Sequence, residues 1–306
     1  MMIVRRKLPL SRILHFVANR IVLFFAIDVA IAVGYVLYGQ KWLAIPNLPL
    51  SLAGAALTIF LGFRIKAAYD RWWEARILWG ALVNWSRTLA RRCQIFPSFA
   101  TSAEEREQVE EFQGKMTYWQ IAFVNALRCH LRKHDSLDEL GQWLTPEAIE
   151  ELRRYENVPM GIQLKMGHLL RNAFQQGWLD DYRFVSIEEA LAEMTNVQGA
   201  CERIKNTPFP RQFDYFPRLF TNVFCFMMPL GLVADLGILT PLASSLIAFM
   251  LLSLESFGSH LEDPFENTIN DVPMSALSRS IEINLKQGLG ERQVPEPLKP
   301  VEGFLF

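Results

Sequence analysis

The stretch from Leu48 to Trp79, LPLSLAGAALTIFLGFRIKAAYDRWWEARILW, limits what this chain can become more than any other. Leu50–Phe63 is apolar apart from Ser51 and Thr58, whereas from Arg64 onward a charge or an indole recurs at nearly every turn. No proline falls between Pro49 and Pro97, so one long helix, or two nearly collinear ones, can run through it. A helix that starts in hydrocarbon and ends in water joins a membrane part to an aqueous part.

Two other apolar blocks fit that division. Ile21–Tyr38, with Asp28 as its only ionisable residue, approaches the ~20 residues that a spanning helix needs. Leu219–Leu254 is too long for one span, and Asp235-Leu236-Gly237 with Pro241 predicts a tight turn between two. Leu50–Phe63 is short, but Arg64 and Lys66 are expected to snorkel and extend it. Arg5, Arg6, Lys7, Arg12 and Arg20 precede the first block, and basic residues crowd the segment after Phe63. The positive-inside rule then puts both flanks and both termini in the cytoplasm, with Gly39–Asn47 outside. No small-x-small cleavage site precedes a mature domain, so the first apolar helix reads as uncleaved rather than as a signal peptide.

Between the blocks the pattern is helical, without convincing strand alternation. Ser102 with Glu105, Ser136 with Glu139 and Ser186 with Glu189 have capping-box spacing, and Thr145-Pro146 is an N-cap followed by proline. Thr207–Pro210 ends this region, because each proline disfavours helix in the residue before it. Helix resumes at about Pro273–Gln287. The expected architecture is all-α, with four transmembrane helices and a large helical cytosolic domain. Its parts are a cytosolic N-terminal segment (1–20), a transmembrane pair (21–64), the cytosolic domain (65–215), a transmembrane hairpin (216–257) and a cytosolic C-terminal segment (258–306). Hydrophobic residues at 51% and charged ones at 21% suit neither a disordered chain nor an ordinary soluble enzyme, and a net charge of −1 gives no argument for nucleic acid.

Ala53-Gly54-Ala55-Ala56 is a run of small side chains that lets helices approach closely in a membrane. Ala55, Ile59 and Phe63, spaced by four, share one helix face. The ordinary role of such a face is to meet lipid or a neighbouring helix; around a symmetry axis it would form a narrow tube that gates by dewetting. Asp28 lies near mid-span, where a paired structural carboxyl and an ion-path residue are both open readings; Asp235 fits a solvated outer turn. His130 and His134 have the i, i+4 spacing of zinc ligands, but without a third ligand a surface helix is the better reading. The four cysteines stand far apart, which argues against disulfides and metal clusters. Glu262, Asp263, Glu266 and Asp271 form an acidic loop that could attract calcium, though the alternation of an EF-hand is missing. No nucleophile elbow, Walker loop or dinucleotide fingerprint occurs, so an enzyme is not expected and no cofactor is called for.

Three segments resemble the bestrophin family, specifically its prokaryotic branch: FLGFRIKAAYDRWWEARILWG (Phe60–Gly80), GACERIKNTPFP (Gly199–Pro210) and LEDPFENTINDVP (Leu261–Pro273). The opening MIVRR fits too, and the resemblance runs through nearly the whole chain in order. It implies a homopentameric ion channel with one axial pore, four membrane helices per subunit and a helical cytosolic domain. The family's hydrophobic neck falls on Ala55, Ile59 and Phe63. Its outermost position is usually larger than alanine, so Ile59 and Phe63 are expected to dominate. The cytosolic aperture maps to Val185, immediately before the Ser186 cap, where a β-branched side chain is stiff and apolar. The eukaryotic calcium clasp reads ENTIND here, so no tight calcium site is expected. Animal members pass chloride, and characterised bacterial relatives resemble monovalent-cation channels. The implied partners are further copies of the chain, membrane lipid and permeating monovalent ions in a bacterial inner membrane, with no nucleic acid. The rival reading is a non-conducting membrane scaffold or sensor whose cytosolic helices are a docking surface.

Overall fold

The computed structural model describes residues 2–3, 10–97, 102–268, 270–301 and 303–305. Arg5, Arg6 and Lys7, and the side chain of Arg12, lie outside what is described. In chain order the helices are α1 (Leu10–Val36), α2 (Asn47–Ile95), α3 (Ala103–Leu131), α4 (Leu137–Leu140), α5 (Pro146–Leu152), α6 (Val158–Gln175), α7 (Asp181–Asn206), α8 (Arg211–Leu236), α9 (Thr240–Ser259) and α10 (Met274–Gly288). Among the described residues the strands are a single two-residue antiparallel pair, β1 (Met2–Ile3) with β2 (Phe304–Leu305).

The proline-free stretch forms one helix: α2 is continuous over 49 residues and ends just before Pro97. Val17–Val36, Pro49–Ile95 and Arg211–Ser259 are long and apolar enough to cross a membrane. The last is broken at Gly237, whose φ of 53° ends α8 and starts a single 3-10 turn before α9, with Pro241 in the first turn.

The residues divide into two compact units, with α2 contributing to both. One comprises Arg5–Trp72 and Pro208–Asp263. In it α1, α8 and α9 pack on one another around Phe24, Cys225, Met228, Ala248 and Leu252. Helix α2 makes no comparably close backbone packing; it leans on the others through side chains, Leu57 and Leu61 meeting Leu251 and Phe224. Gly54 is needed there, since a Cβ at that position would fall 2.7 Å from the Phe224 ring.

The other unit comprises Met1–Val4, Trp73–Thr207 and Pro264–Phe306. The second half of α2 supplies Trp79, Leu82 and Leu89 to a core shared with α3, α6, α7 and α10. Ser102 closes a full capping box at α3, its Oγ accepting from the Glu105 N–H while the Glu105 carboxylate accepts from the Ser102 N–H. Thr145 caps α5 as expected. Two caps differ. The Ser136 side chain makes no cap bond, and the Asp135 carboxylate accepts the Leu137 N–H instead. Ser186 is no cap at all: α7 begins at Asp181, where the Asp180 carboxylate accepts the Arg183 N–H at 2.8 Å. Cys93, Cys129, Cys201 and Cys225 are free and buried.

Candidate functional site

Helix α2 carries two faces in its first half. Leu57, Leu61, Arg64 and Ala68 are buried, at the spacing of one helical stripe. On the other side Leu52, Ala55, Ile59 and Phe63 are exposed, Ile59 by 61% and Phe63 by 68%. Below them the same side turns polar, with Lys66 ion-paired to Asp70 one turn on. Among the described residues the three neck candidates thus share one largely exposed face.

Arg64 does not snorkel. It is 1% exposed, and every guanidinium nitrogen faces an acceptor. Nε and Nη2 reach the Glu262 Oε1 at 3.1 and 2.7 Å, and Nη2 also lies 2.6 Å from the Asp214 Oδ1 and 2.9 Å from the Ser259 Oγ. Nη1 faces the Glu255 backbone carbonyl at 3.3 Å and its carboxylate at 3.4 Å. Glu255 in turn holds Arg20 of α1 at 2.9 Å and Arg218 of α8 at 3.5 Å, while Arg71 donates to the Glu262 carbonyl at 2.7 Å. Three guanidinium groups (Arg20, Arg64, Arg218) therefore meet three carboxylates (Asp214, Glu255, Glu262), tying α1, α2, α8 and α9 together. Burial pushes the Glu262 carboxyl above the ordinary glutamate range, against the opposite pull of Arg64. The sequence reading missed this cluster. Its one local signal was Glu255, a carboxylate ending an apolar block, which needs a partner.

Three of the acidic loop's four carboxylates are occupied by protein groups, and Asp263 is exposed. Glu262 serves Arg64, Glu266 pairs with Lys205, and Asp271 accepts the Thr268 N–H at 2.9 Å and its hydroxyl at 2.7 Å. Among the described residues no group of three or more His, Cys, Asp or Glu side chains is placed to hold a metal ion. His130 lies 3.4 Å from Glu202, and α3 ends at Leu131, so His134 does not continue its face.

Asp28 is 1% exposed and turned into the helix packing, where Ser244 bonds it closely and the Ser245 hydroxyl lies 3.3 Å away. That is the paired reading, away from any open face of α1. Asp235 is exposed at the end of α8. Val185 was expected just before a helix start; it sits inside the second turn of α7, because Asp180 rather than Ser186 is the cap. Its side chain is 63% exposed, with Tyr182 exposed one turn earlier.

The family model for the bacterial and fungal bestrophin proteins matches residues 4–287. The voltage-dependent anion channel-forming protein YneE of Salmonella typhi is 34% identical over 283 residues, covering 92% of this chain and 90% of the relative. The protein of the same name from Escherichia coli K12 is 34% identical over 288 residues, covering 94% and 91%. Among solved structures, a bacterial bestrophin homologue from Klebsiella pneumoniae aligns with a TM-score of 0.83 at 31% identity, over 90% of this chain and 100% of the other.

Proposed function

The chain belongs to the bacterial and fungal bestrophin family, and on that premise we propose that it is a homopentameric channel passing small monovalent ions down their electrochemical gradient through one axial pore. In this reading α1, the first half of α2, α8 and α9 cross a bacterial inner membrane, both termini are cytoplasmic, and the unit built around Trp79 stands in the cytosol. The open face of α2 lines the neck. Ile59 and Phe63 supply its rings and Ala55 a weak outer one, so an apolar constriction makes water, and with it the ion's hydration, costly to keep. Val185 forms the cytosolic aperture.

The observation that carries this reading is the face formed by Ala55, Ile59 and Phe63: apolar, aligned and largely exposed, opposite the buried stripe of Leu57, Leu61 and Arg64. A single subunit leaves such a face without a partner, and a ring of copies turned inward would give it one. Calcium is not required for conduction in this proposal, because three of the acidic loop's four carboxylates, Glu262, Glu266 and Asp271, already bind Arg64, Lys205 and Thr268.

Because the YneE relatives are named as anion channel-forming proteins, an anion is the first permeant ion to test. The decisive measurement is the reversal potential of the purified protein in bilayers with asymmetric NaCl, together with the mass of the detergent-solubilised complex. A potential near the chloride equilibrium value and a five-chain mass are expected. No flux from a well-folded oligomer would refute the channel and favour a scaffold or sensor.

A further inference from the structure

Arg64 follows Phe63 directly on α2. At 3.6 residues per turn the two side chains leave the helix about 100° apart. One is locked among α8 and α9 and the other is exposed. What else holds α2 in this unit is mostly apolar: Leu57 and Leu61 against Leu251 and Phe224. Such contacts are non-directional, and leucines can repack when a helix turns slightly. A guanidinium cannot follow so easily, because its donors lie in a rigid planar fork. Its acceptors come from three places in the chain: Asp214 on α8, Glu255 and Ser259 on α9, and Glu262 just beyond α9.

We propose that Arg64 is a positioning residue of the pore: its clamp onto α8 and α9 fixes the rotation of α2 about its own axis, and thereby the direction in which Phe63 is presented. The inference rests on the reading of Phe63 as a neck ring. Side-chain tips stand about 5–6 Å from a helix axis, so a rotation of about 20° carries the Phe63 ring through about 2 Å. In a constriction made of several copies, each ring edge moves by that amount at once. Loss of the clamp therefore alters the aperture without touching a residue that lines it.

The test uses the full chain reconstituted in lipid. A nitroxide attached through Phe63→Cys reports the environment of that position, and the native cysteines are all buried. Glu262→Gln, and Ser259→Ala as a milder second variant, weaken the clamp, while Glu262→Asp returns a carboxylate. The label's mobility and its accessibility to a water-soluble relaxing agent should shift in Glu262→Gln and return toward the starting values in Glu262→Asp. On the unlabelled background, unitary conductance should change at least twofold in Glu262→Gln. If both weakened variants keep the parent's thermal midpoint and oligomer mass, and the label's spectrum does not move, the proposal is overturned. The neck reading is judged separately by Phe63→Ala. Unchanged conductance there would sink the neck, while the label would still report whether the clamp sets the rotation of α2.

Discussion

Phe63→Ala separates a pore-lining side chain from a packing one, with Leu61→Ala as its internal control. The two residues lie two positions apart on α2, yet Phe63 is 68% exposed and Leu61 is 1% exposed. Fully burying a large apolar side chain stabilises by about 1.5–3 kcal/mol, so the third of Phe63 that is covered contributes about 0.5–1 kcal/mol. Truncating a fully buried leucine costs about 2–5 kcal/mol, because a cavity remains. The stability effects should therefore differ at least twofold, with Leu61→Ala the more damaging. Conduction should respond in the opposite order. Removing an apolar ring lowers the dewetting barrier, and a barrier lower by about 1.4 kcal/mol raises the rate about tenfold. A rise in unitary conductance on the order of threefold or more is expected for Phe63→Ala, larger still with Ile59→Ala. Thermal unfolding of the solubilised oligomer and single-channel recording in planar bilayers give the two readouts. Phe63→Ala that destabilises as much as Leu61→Ala and leaves conductance alone would show a side chain covered by a neighbouring subunit, and the argument would fail.

Val185→Ala should shift permeability ratios among large ions while moving stability by no more than about 0.5 kcal/mol, since the side chain is mostly exposed; fixed ratios would remove Val185 from the ion path. Glu262 should give a pH signature of known sign. Its carboxyl is held above the ordinary glutamate range, so the folded chain binds that proton more tightly than the unfolded one. Its contribution to stability is therefore full below the ordinary range and falls as pH rises through the raised value. Glu262→Gln should flatten that part of the curve of unfolding midpoint against pH, and an identical slope in both proteins would contradict the assignment. Gly54→Ala places a methyl 2.7 Å from the Phe224 ring and should cost about 1–3 kcal/mol through overpacking. Phe224→Leu in the same chain should recover part of it; equal midpoints for Gly54→Ala and the parent would mean that α2 and α8 do not meet there.

Local signals in the sequence found what local physics decides. A proline-free run became α2, Gly237 and Pro241 made the turn between α8 and α9, and Ser102 and Thr145 capped their helices. The failures share a cause. A Ser followed three residues later by Glu also occurs inside helices, so Ser186 imitated a cap while Asp180, with no glutamate in that place, was the real one. That displaced the expected setting of Val185 by more than one and a half turns, from just before a helix to inside it. Arg64 was read as a snorkelling residue because its acceptors lie 150 to 198 residues away, beyond any periodicity argument. The face bearing Ala55, Ile59 and Phe63 was visible as spacing. Which way that face looked depended on the burial of Leu57, Leu61 and Arg64, a property set by α8, α9 and the segment just beyond α9.

Asp28 sets a timetable for the making of the protein. Its partners, Ser244 and Ser245, come from α9, and Ser244 stands 216 residues later in the chain. At synthesis rates of about 5–20 residues per second, that separation is on the order of 10–40 s. In the proposed topology α1 carries throughout that time a carboxyl group that the bilayer centre disfavours by about 2.5–3.5 kcal/mol. On that topology the first span of a chain inserted from its N-terminus would wait beside the insertion machinery, or lie shallow in the bilayer, until the last one arrives. On the same topology a chain cut short before α9 would leave Asp28 in lipid without Ser244 and Ser245.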